Sequence, residues 1–331
     1  MTHPFYEGTA YQFAWNSSSL GTLKDCPRKY QLSYVEGWQP KGEGIHLRFG
    51  SLYHKGLELF DVYLADGDDT ETALDRVVDY LLLETWDDRQ FEFLIVNENN
   101  DTHEVPILDT GHPWTSDHPA FGKKNRETLL RSVVWYLDHY ADDPTRTVIL
   151  ETGAPALELT FTMEVESLTV RGEPYLFTGH MDRLVHYGDD LFVMDRKTSG
   201  STLGSYYFDK YSPDNQMSLY TYAARVIYGV PVSGVIIDAA QIAVGFTSYA
   251  RGLTVRSEGQ LNEWMLDTTH WLKAAERFAA DQYWPMNDSS CHKYDGCQFR
   301  RICNKDPVVR RAFLTTDFVQ SWDHVDRILE S

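Results

Sequence analysis

The first 150 residues carry apolar side chains at helical spacing. Asn16 suits the N-cap of a first helix, and Pro27 suits the first turn of a second helix, PRKYQLSYV. The stretch RFGSLYHKGLELFDVYLADG predicts a third helix, whose apolar stripe consists of Leu52, Leu59, Phe60, Tyr63 and Leu64. Two more helices are predicted over 71–86 and 125–140. Residues 16–150 are therefore expected to form a helical part.

From residue 155 apolar and polar residues alternate, which is the period of a β-strand. In ALELTFTMEV one predicted face carries Leu157, Leu159, Phe161, Met163 and Val165. The opposite face carries Glu158, Thr160, Thr162 and Glu164. A hairpin follows in GHMDRLVHYGDDLFVMDRKTSG, because Gly188 and Asp189 tolerate the positive φ of a two-residue turn. A helix from Ser212 to Tyr228, a strand GVIID, a further strand and a helix over 259–280 complete the pattern.

The order of these elements predicts an α/β fold with a central mixed β-sheet flanked by helices. No repeat or long Gly/Ser linker divides the chain, so we expect one domain over 1–331. Its sheet core is predicted over 151–250, and a last helix with a cysteine-rich segment over 255–311. Residues 87–122 contain NENNDTH and several Pro and Gly residues, which indicates an irregular, mobile insertion.

Composition narrows the class of protein. No apolar run approaches the ~20 residues needed to cross a bilayer, and MTHPFYEG lacks the features of a signal peptide. We therefore expect a cytoplasmic protein with no membrane partner. The net charge of −19 counts against tight non-specific DNA binding, yet residues 61–109 hold fifteen of the Asp and Glu and only two Arg. Residues 293–311 hold six Lys and Arg, so DNA remains an acceptable partner.

The predicted hairpin gathers two acids and a lysine. With a two-residue turn, Tyr187 faces Asp190 and Asp182 faces Asp195, with Cβ atoms ~5 Å apart. Lys197 lies two residues beyond Asp195 and so shares its face. Two carboxylates this close repel each other unless a proton or a cation lies between them. Mg²⁺ or Mn²⁺ held there, beside an ammonium group, can promote phosphodiester hydrolysis. A surface hairpin with a salt bridge is the alternative.

The four cysteines have an uneven distribution. Cys291, Cys297 and Cys303 lie close together near the C-terminus, and Cys26 lies near the N-terminus. Four is the count of a tetrahedral sulfur site, with structural Zn²⁺ or a [4Fe–4S] cluster, and such a site would join the two ends of the chain. Disulfides fit a reducing cytosol less well, and four unrelated buried cysteines are the remaining alternative.

Several ordered motifs resemble the PD-(D/E)XK nuclease superfamily, specifically its RecB-like branch, which includes the AddB nuclease domain and exonucleases associated with CRISPR adaptation. SSLGTLKDCPRKYQLSYV is similar to the cysteine helix of that branch, and FGSLYHKGLE to its histidine helix. GHMDRL and MDRKTS are similar to its second and third motifs, and QMSLY to the helix motif that follows. The resemblance extends from about Ser17 to Cys303 and implies a restriction-endonuclease-like core.

The resemblance implies roles for individual residues. It assigns Mg²⁺ or Mn²⁺ four ligands, namely His54, Asp182, Asp195 and the main-chain carbonyl of Arg196. Lys197 corresponds to the catalytic lysine. Gln216 and Tyr220 are expected to support the site or to contact the DNA backbone. Taken singly, His54 also fits a packed helix histidine and Tyr220 a core residue.

A [4Fe–4S] cluster is also implied by the resemblance. In iron–sulfur members of the branch, one N-terminal cysteine joins three C-terminal cysteines around the cluster, as Cys26, Cys291, Cys297 and Cys303 would here. The spacing between Cys291 and Cys297 is longer than in that pattern. This departure leaves Zn²⁺, or His292 as a ligand, as alternatives.

The function implied is a Mg²⁺- or Mn²⁺-dependent deoxyribonuclease, and most simply an exonuclease that acts on DNA ends or single strands. Recombination, repair and phage or CRISPR DNA processing are all compatible with it. No GxxxxGK[ST] motif is present, which leaves ATP-driven unwinding to a helicase or recombination partner protein. A flap or branch endonuclease and a catalytically silent DNA-end-binding adaptor are the alternatives. Tyr206, Tyr207 and Tyr211 are candidates to stack on unpaired bases, although core packing is favoured for at least two of them.

Overall fold

The computed structural model describes residues 3–41, 45–85, 91–96, 102–106, 123–170, 172–229, 231–293 and 296–330. Its α-helices are α1 (Ser17–Asp25), α2 (Pro27–Tyr30), α3 (Ile45–Ala65), α4 (Thr70–Glu84), α5 (Arg126–His139), α6 (Ser205–Asp209), α7 (Asn215–Tyr228), α8 (Glu258–Asp281), α9 (Arg300–Cys303), α10 (Arg310–Asp317) and α11 (Asp323–Asp326). Its strands are β1 (Ala14–Trp15), β2 (Trp38–Pro40), β3 (Phe91–Val96), β4 (Thr102–Pro106), β5 (Thr145–Thr147), β6 (Leu157–Val170), β7 (Glu173–Tyr187), β8 (Asp190–Ser199), β9 (Val232–Ile242), β10 (Thr247–Val255) and β11 (Phe318–Gln320).

Strand β7 organises a mixed sheet of seven strands. One of its edges pairs with β6 and β5, both antiparallel. The other edge pairs with β1, which is parallel, and with the antiparallel β8. Beyond β8 the sheet continues through the parallel β9 to the antiparallel β10. The α/β class and the mixed sheet expected from the sequence are therefore confirmed.

The hairpin between β7 and β8 has the predicted register over its outer half. Gly188 has a φ of +63°, and the pairs run from Tyr187 with Asp190 down to Arg183 with Met194. The ladder ends there, so the expected backbone pairing of Asp182 with Asp195 is not formed. Instead β8 separates from β7 and pairs with β9 alone. We call the place where the two strands separate, at Asp182 of β7 and Asp195 of β8, the fork.

The helices pack on the sheet and form two main hydrophobic cores with it. The larger core joins the sheet to α1, α7 and α8, and its fully buried members include Trp15, Phe177, Leu219 and Leu272. The second core joins α3, α4 and α5 to the ends of β9 and β10, and includes Leu57, Val77, Val133 and Ala240. These two cores hold α7 and α3 in place, and both helices reach the fork.

The buried stripe of α3 is shifted from the one predicted. Leu52 and Phe60 are buried as expected, but Leu59 and Tyr63 are only half-buried and Leu64 is exposed. The other buried members of the stripe are Phe49, Tyr53 and Leu57. The reason is the position of α4, which approaches α3 at a glycine. A Cβ on Gly56 would lie 3.3 Å from the side chain of Leu81.

Two other local predictions are corrected. The helix expected from Ser212 begins at Asn215, because Asp214 is its N-cap and accepts a hydrogen bond from the Met217 amide at 3.0 Å. Within the segment 87–122, expected to be irregular, β3 and β4 form an antiparallel ladder. The β-rich run FEFLIV signals this strand, although its polar surroundings obscure it. The rest of that segment lies outside the described residues.

No helix in the described part of the chain is both long and apolar enough to cross a membrane.

Strand β6 has the predicted alternation from Thr160 to Val165, but not at Glu158. Leu157 and Leu159 pair with β7 on either side, and Glu158 between them has a φ of +45°. Such left-handed backbone costs a residue with a Cβ atom about 1–2 kcal/mol. Glu158 is therefore not on the outer face of a regular strand.

This strain predicts an order of stability for two substitutions. Glu158→Ala keeps a Cβ atom at positive φ, whereas Glu158→Gly does not. We expect the glycine variant to be the more stable of the two by about 1 kcal/mol in urea unfolding, since the left-handed cost exceeds the entropy that glycine gains in the unfolded chain. An alanine variant of equal or greater stability would contradict the strain.

Candidate active site

Three elements bring charged side chains together at the fork. His54 of α3 places its Nδ1 atom 3.3 Å from Oδ2 of Asp182 on β7. The same oxygen accepts a hydrogen bond from the Arg196 amide of β8 at 2.7 Å. This bond joins β7 to β8 where their ladder has ended. Lys197 places Nζ 2.6 Å from Oδ2 of Asp195. Four of the residues singled out in the sequence, His54, Asp182, Asp195 and Lys197, are thus neighbours.

Asp195 has the chemistry of a metal ligand. Its side chain is only 2% exposed. Among the described residues, the Lys197 ammonium is the one donor group beside Oδ2. A buried carboxylate that lies next to a second carboxylate favours a proton or a further cation. The oxygen donors at the fork fit Mg²⁺ or Mn²⁺, which keep several water ligands and need few from the protein.

The two carboxylates have pKa values shifted in opposite directions. Burial raises the pKa of Asp195, the charge on Asp182 raises it further, and Lys197 offsets only part of this effect. Burial would also raise the pKa of Asp182, but His54, Lys197 and the Arg196 amide outweigh it and hold that pKa below its usual range. Asp182 is therefore the anionic member of the pair, and Asp195 is the one that holds a proton most readily.

The two basic groups beside them both have raised pKa values. Burial would lower the pKa of His54, but the Asp182 carboxylate outweighs burial and raises it. Likewise, burial would lower the pKa of Lys197, but Asp195 and Asp182 raise it. The fork consequently brings two acidic and two basic side chains together, and of these Asp195 is buried, whereas His54 and Lys197 remain 29% and 27% exposed.

Arg196, between the two catalytic candidates of β8, points its side chain to the opposite face of the sheet. It is 2% exposed, and its Nη2 atom lies 3.0 Å from Oδ2 of Asp61 on α3. Asp61 follows His54 by two helical turns, so α3 is bound to the sheet at both residues. Sequence reasoning missed Asp61, although its i+7 spacing from His54 was a usable signal. The metal-ligand role of the Arg196 carbonyl stays a prediction.

Helix α7 reaches the fork from the other side. Gln216 donates a hydrogen bond to the hydroxyl of Tyr220 at 3.0 Å. Burial raises the pKa of Tyr220, and the charges of Asp195 and Asp182 raise it further, so the phenol stays neutral. Gly179 of β7 lies under the Phe161 ring of β6, which a Cβ there would approach to 2.7 Å, and the same Cβ would lie 3.5 Å from the Tyr220 ring. The two residues expected on α7 are therefore at the site.

Glu158 is a third acid at the fork that sequence reasoning placed on the solvent face. Burial, followed by the charges of Asp182 and Glu58, raises its pKa to about 7. It borders a cavity of about 410 Å³, whose other lining residues are His46, Leu47, Gly50, Ser51, His54, Lys55 and Glu58. No sequence signal identified it, since its position depends on the irregular backbone of β6.

Lys124 is a further cation that the sequence did not indicate. It is buried and donates a hydrogen bond to the hydroxyl of Thr198 on β8 at 3.2 Å. Its Nζ atom lies 4.2 Å above the Phe49 ring. Burial lowers the pKa of Lys124 to about 8.

The four cysteines are free thiols in one region of the protein. Cys26 is buried at the start of α2, and its sulfur accepts a hydrogen bond from the Asn287 amide at 3.4 Å. The other three, Cys291, Cys297 and Cys303, line a cavity of about 720 Å³ together with His292. Burial raises the pKa of both Cys291 and Cys303, and neighbouring cysteines raise it further. The ladder of β2 with β11 joins the chain ends nearby.

Across the residues that the structure describes, no three His, Cys, Asp or Glu side chains have the spacing of a complete metal site. The expected four-cysteine cluster is therefore not shown, although its four thiols lie in the same region of the described structure. At the fork, the ligands that the protein offers are the individual groups described above.

Comparisons with known proteins agree with this chemistry. The family model of the PD-(D/E)XK nuclease superfamily matches residues 14–304. The Gene 69 protein of Mycobacterium phage D29 is 23% identical over 303 residues, which cover 88% of this chain and 96% of that protein. A solved structure from Eubacterium rectale, described as a "Putative exonuclease", superposes with a TM-score of 0.44 at 13% identity and covers 89% of each chain. The family match alone carries weight, because a superposition of that quality supports no argument.

The opposite pKa shifts predict opposite effects of two substitutions on stability. The folded protein binds the Asp195 proton more tightly than the unfolded chain, so the charged form costs stability above the folded pKa of about 6. Asp195→Asn should therefore raise the free energy of unfolding at pH 8, by up to about 3 kcal/mol, and lose this advantage near pH 4. Asp182 has a lowered pKa, so Asp182→Asn should lower the free energy of unfolding at pH 8.

Urea unfolding of both variants in a chelating buffer, at pH 8 and pH 4, measures these effects. Equal destabilisation by the two asparagine substitutions at pH 8 would show that the asymmetry of the pair is wrong.

Proposed function

The chain belongs to the PD-(D/E)XK nuclease superfamily, and on this premise we propose that it is a Mg²⁺- or Mn²⁺-dependent deoxyribonuclease. The observation that carries the proposal is the group of side chains at the fork. Asp182 and Asp195 come from adjacent strands, and a histidine and a lysine lie within 3.3 Å of their carboxylates. A family match without these residues would be equally compatible with a silent adaptor.

In this proposal each residue has a separate task. Asp182 and Asp195 hold the cation, with His54 and the Arg196 carbonyl as further ligands. The bound ion supplies Lewis-acid polarisation of the scissile phosphate. Lys197 orients the attacking water and offsets the charge that develops on phosphorus. Gln216 and Tyr220 support the carboxylates from α7 and border the path of the DNA backbone.

We further propose exonuclease action on DNA ends or single strands by one nuclease domain over 1–331 in the cytoplasm. A helicase or recombination partner would supply unwinding. Linear and circular substrates separate this proposal from its alternatives. An exonuclease degrades linear DNA and spares circles, a flap or branch endonuclease cuts at the branch, and an adaptor shifts the mobility of DNA without cutting it.

We also propose that Cys26, Cys291, Cys297 and Cys303 hold a [4Fe–4S] cluster, with Zn²⁺ as the alternative. The cavity lined by three of the thiols and the fourth thiol nearby support this proposal. A bound metal would supply the positive charge that stabilises thiolates against the raised pKa values of Cys291 and Cys303. The cluster would join the chain ends and take no part in hydrolysis.

Removal of the charge of either Asp195 or Lys197 on β8 should abolish DNA cleavage. Asp195→Asn and Lys197→Met are each expected to lower the rate of DNA cleavage with Mg²⁺ or Mn²⁺ by at least roughly 100-fold, since each removes a charge that acts on the transition state. Gel assays on end-labelled DNA measure the rate, and circular dichroism checks the fold. Tyr187→Ala, at the distant tip of the hairpin, is the matched control. Full activity of Asp195→Asn would refute the assignment.

Anaerobic purification should yield a brown protein with absorbance near ~400 nm and about four iron atoms per chain. Cys297→Ser should lose this absorbance and lower the melting temperature, because the tie between the chain ends is lost. Ser289→Ala, at an exposed serine in the same region, serves as the control. One zinc per colourless chain would replace the iron assignment, and a metal-free protein with four reactive thiols would overturn the site.

A further inference from the structure

Helix α6 follows β8 directly and carries three consecutive aromatic residues, Tyr206, Tyr207 and Phe208. Two of them pack into the protein. Tyr207 is buried, and Phe208 packs against the larger core. Tyr206, in contrast, is 91% exposed. The ring of Tyr206 is therefore exposed to solvent, while the two aromatic residues that follow it anchor the helix in the interior.

The residues that follow α6 hold it rigidly. Tyr211 is buried, and its hydroxyl lies 3.3 Å from that of Tyr207. The main-chain carbonyl of Tyr211 accepts hydrogen bonds from Arg256 at 2.8 Å and from Thr254 at 3.2 Å. The exposed ring of Tyr206 consequently projects from a fixed support, so little conformational entropy is lost when it binds a flat partner.

This support borders the fork. Burial raises the pKa of Tyr211, and among the charges that raise it further is that of Asp195. Lys210 places its Nζ atom 3.9 Å from the centre of the Tyr207 ring and 4.8 Å from that of Tyr211.

Phe208 of α6 packs against Gly252 of β10. Gly252 pairs with Ile237 of β9, which pairs in turn with Asp195 of β8. Helix α6 therefore lies two strands away from Asp195 on the same face of the sheet.

The Lys210 ammonium group favours an anion, and the exposed Tyr206 ring on the same helix favours a flat, apolar surface. A DNA strand offers both in alternation, as phosphates and bases. In a duplex the faces of internal bases are already covered by stacking, so only an unpaired or terminal base can meet an aromatic ring.

We propose that Tyr206 and Lys210 form a single-strand subsite of the active site, in which Tyr206 stacks on an unpaired base and Lys210 contacts the phosphate next to the scissile one. This inference rests on the proposed nuclease function and specifies its substrate as unpaired DNA. Every base has a face for stacking, so the subsite selects strand state and not sequence.

The test uses binding and cleavage of two probes by the full-length protein. The probes are a fluorescent oligothymidylate and a blunt-ended hairpin duplex, with Ca²⁺ for binding and Mn²⁺ for cleavage. Tyr206→Ala should weaken oligothymidylate binding roughly 5- to 100-fold and leave duplex binding unchanged, whereas Tyr206→Phe keeps the ring and should stay within about 2-fold of the native protein. Lys210→Gln should weaken oligothymidylate binding. It should also reduce the slope of log affinity against log salt concentration by about the amount that one phosphate contact contributes. Tyr187→Ala is the exposed-tyrosine control.

A second probe set locates the contact. The probes are oligothymidylates that each lack one base, at a different position along the strand. At one position the missing base should lower the affinity of the native protein. At that position it should not lower the affinity of Tyr206→Ala, because this variant has already lost the stacking contact. If Tyr206→Ala binds and cleaves single strands like the native protein, or weakens both probes equally, the subsite is refuted while the nuclease assignment stands. If the native protein neither binds nor cleaves either probe, both the subsite and the proposed function are overturned.

Discussion

The hydrogen bond from the Arg196 amide to Asp182 is the contact on which the site depends. It replaces the ladder between β7 and β8 at the fork and fixes the carboxylate of one strand against the backbone of the other. Because Arg196 lies between Asp195 and Lys197, the same bond also fixes the place of those two side chains relative to Asp182. Without it, the arrangement of the two carboxylates would depend only on the pairing of β7 with β6 and of β8 with β9.

Burying two carboxylates together opposes folding, since each ion loses several kcal/mol of hydration and the two repel each other. The structure offsets this cost with His54 and Lys197, one cation beside each carboxylate. The offset is complete for Asp182 and incomplete for Asp195, as their pKa shifts indicate. A carboxylate whose pKa stays raised beside its own lysine is unfavourable in a purely structural ion pair, and it is favourable in a site built to receive a cation.

The sequence predicted the local part of this arrangement and missed the long-range part. The turn at Gly188 set the register of the hairpin, and alternation then placed Asp195 and Lys197 on one face. That β8 leaves β7 at Asp182 depends on its pairing with β9, which no local pattern encodes. The ion pair of Arg196 with Asp61 joins residues far apart in the chain. The position of Glu158 depends on a backbone irregularity, because alternation alone places it on the outer face.

Calorimetric titration with Mn²⁺ tests the central claim most directly, because it detects the ion independently of DNA cleavage. Titration of the native protein should show saturable binding, and Lys197→Met should retain it because lysine is not a ligand. Asp195→Asn should lose that binding. Unchanged Mn²⁺ affinity in Asp195→Asn, with the fold intact, would contradict the account of a cation held between β7 and β8.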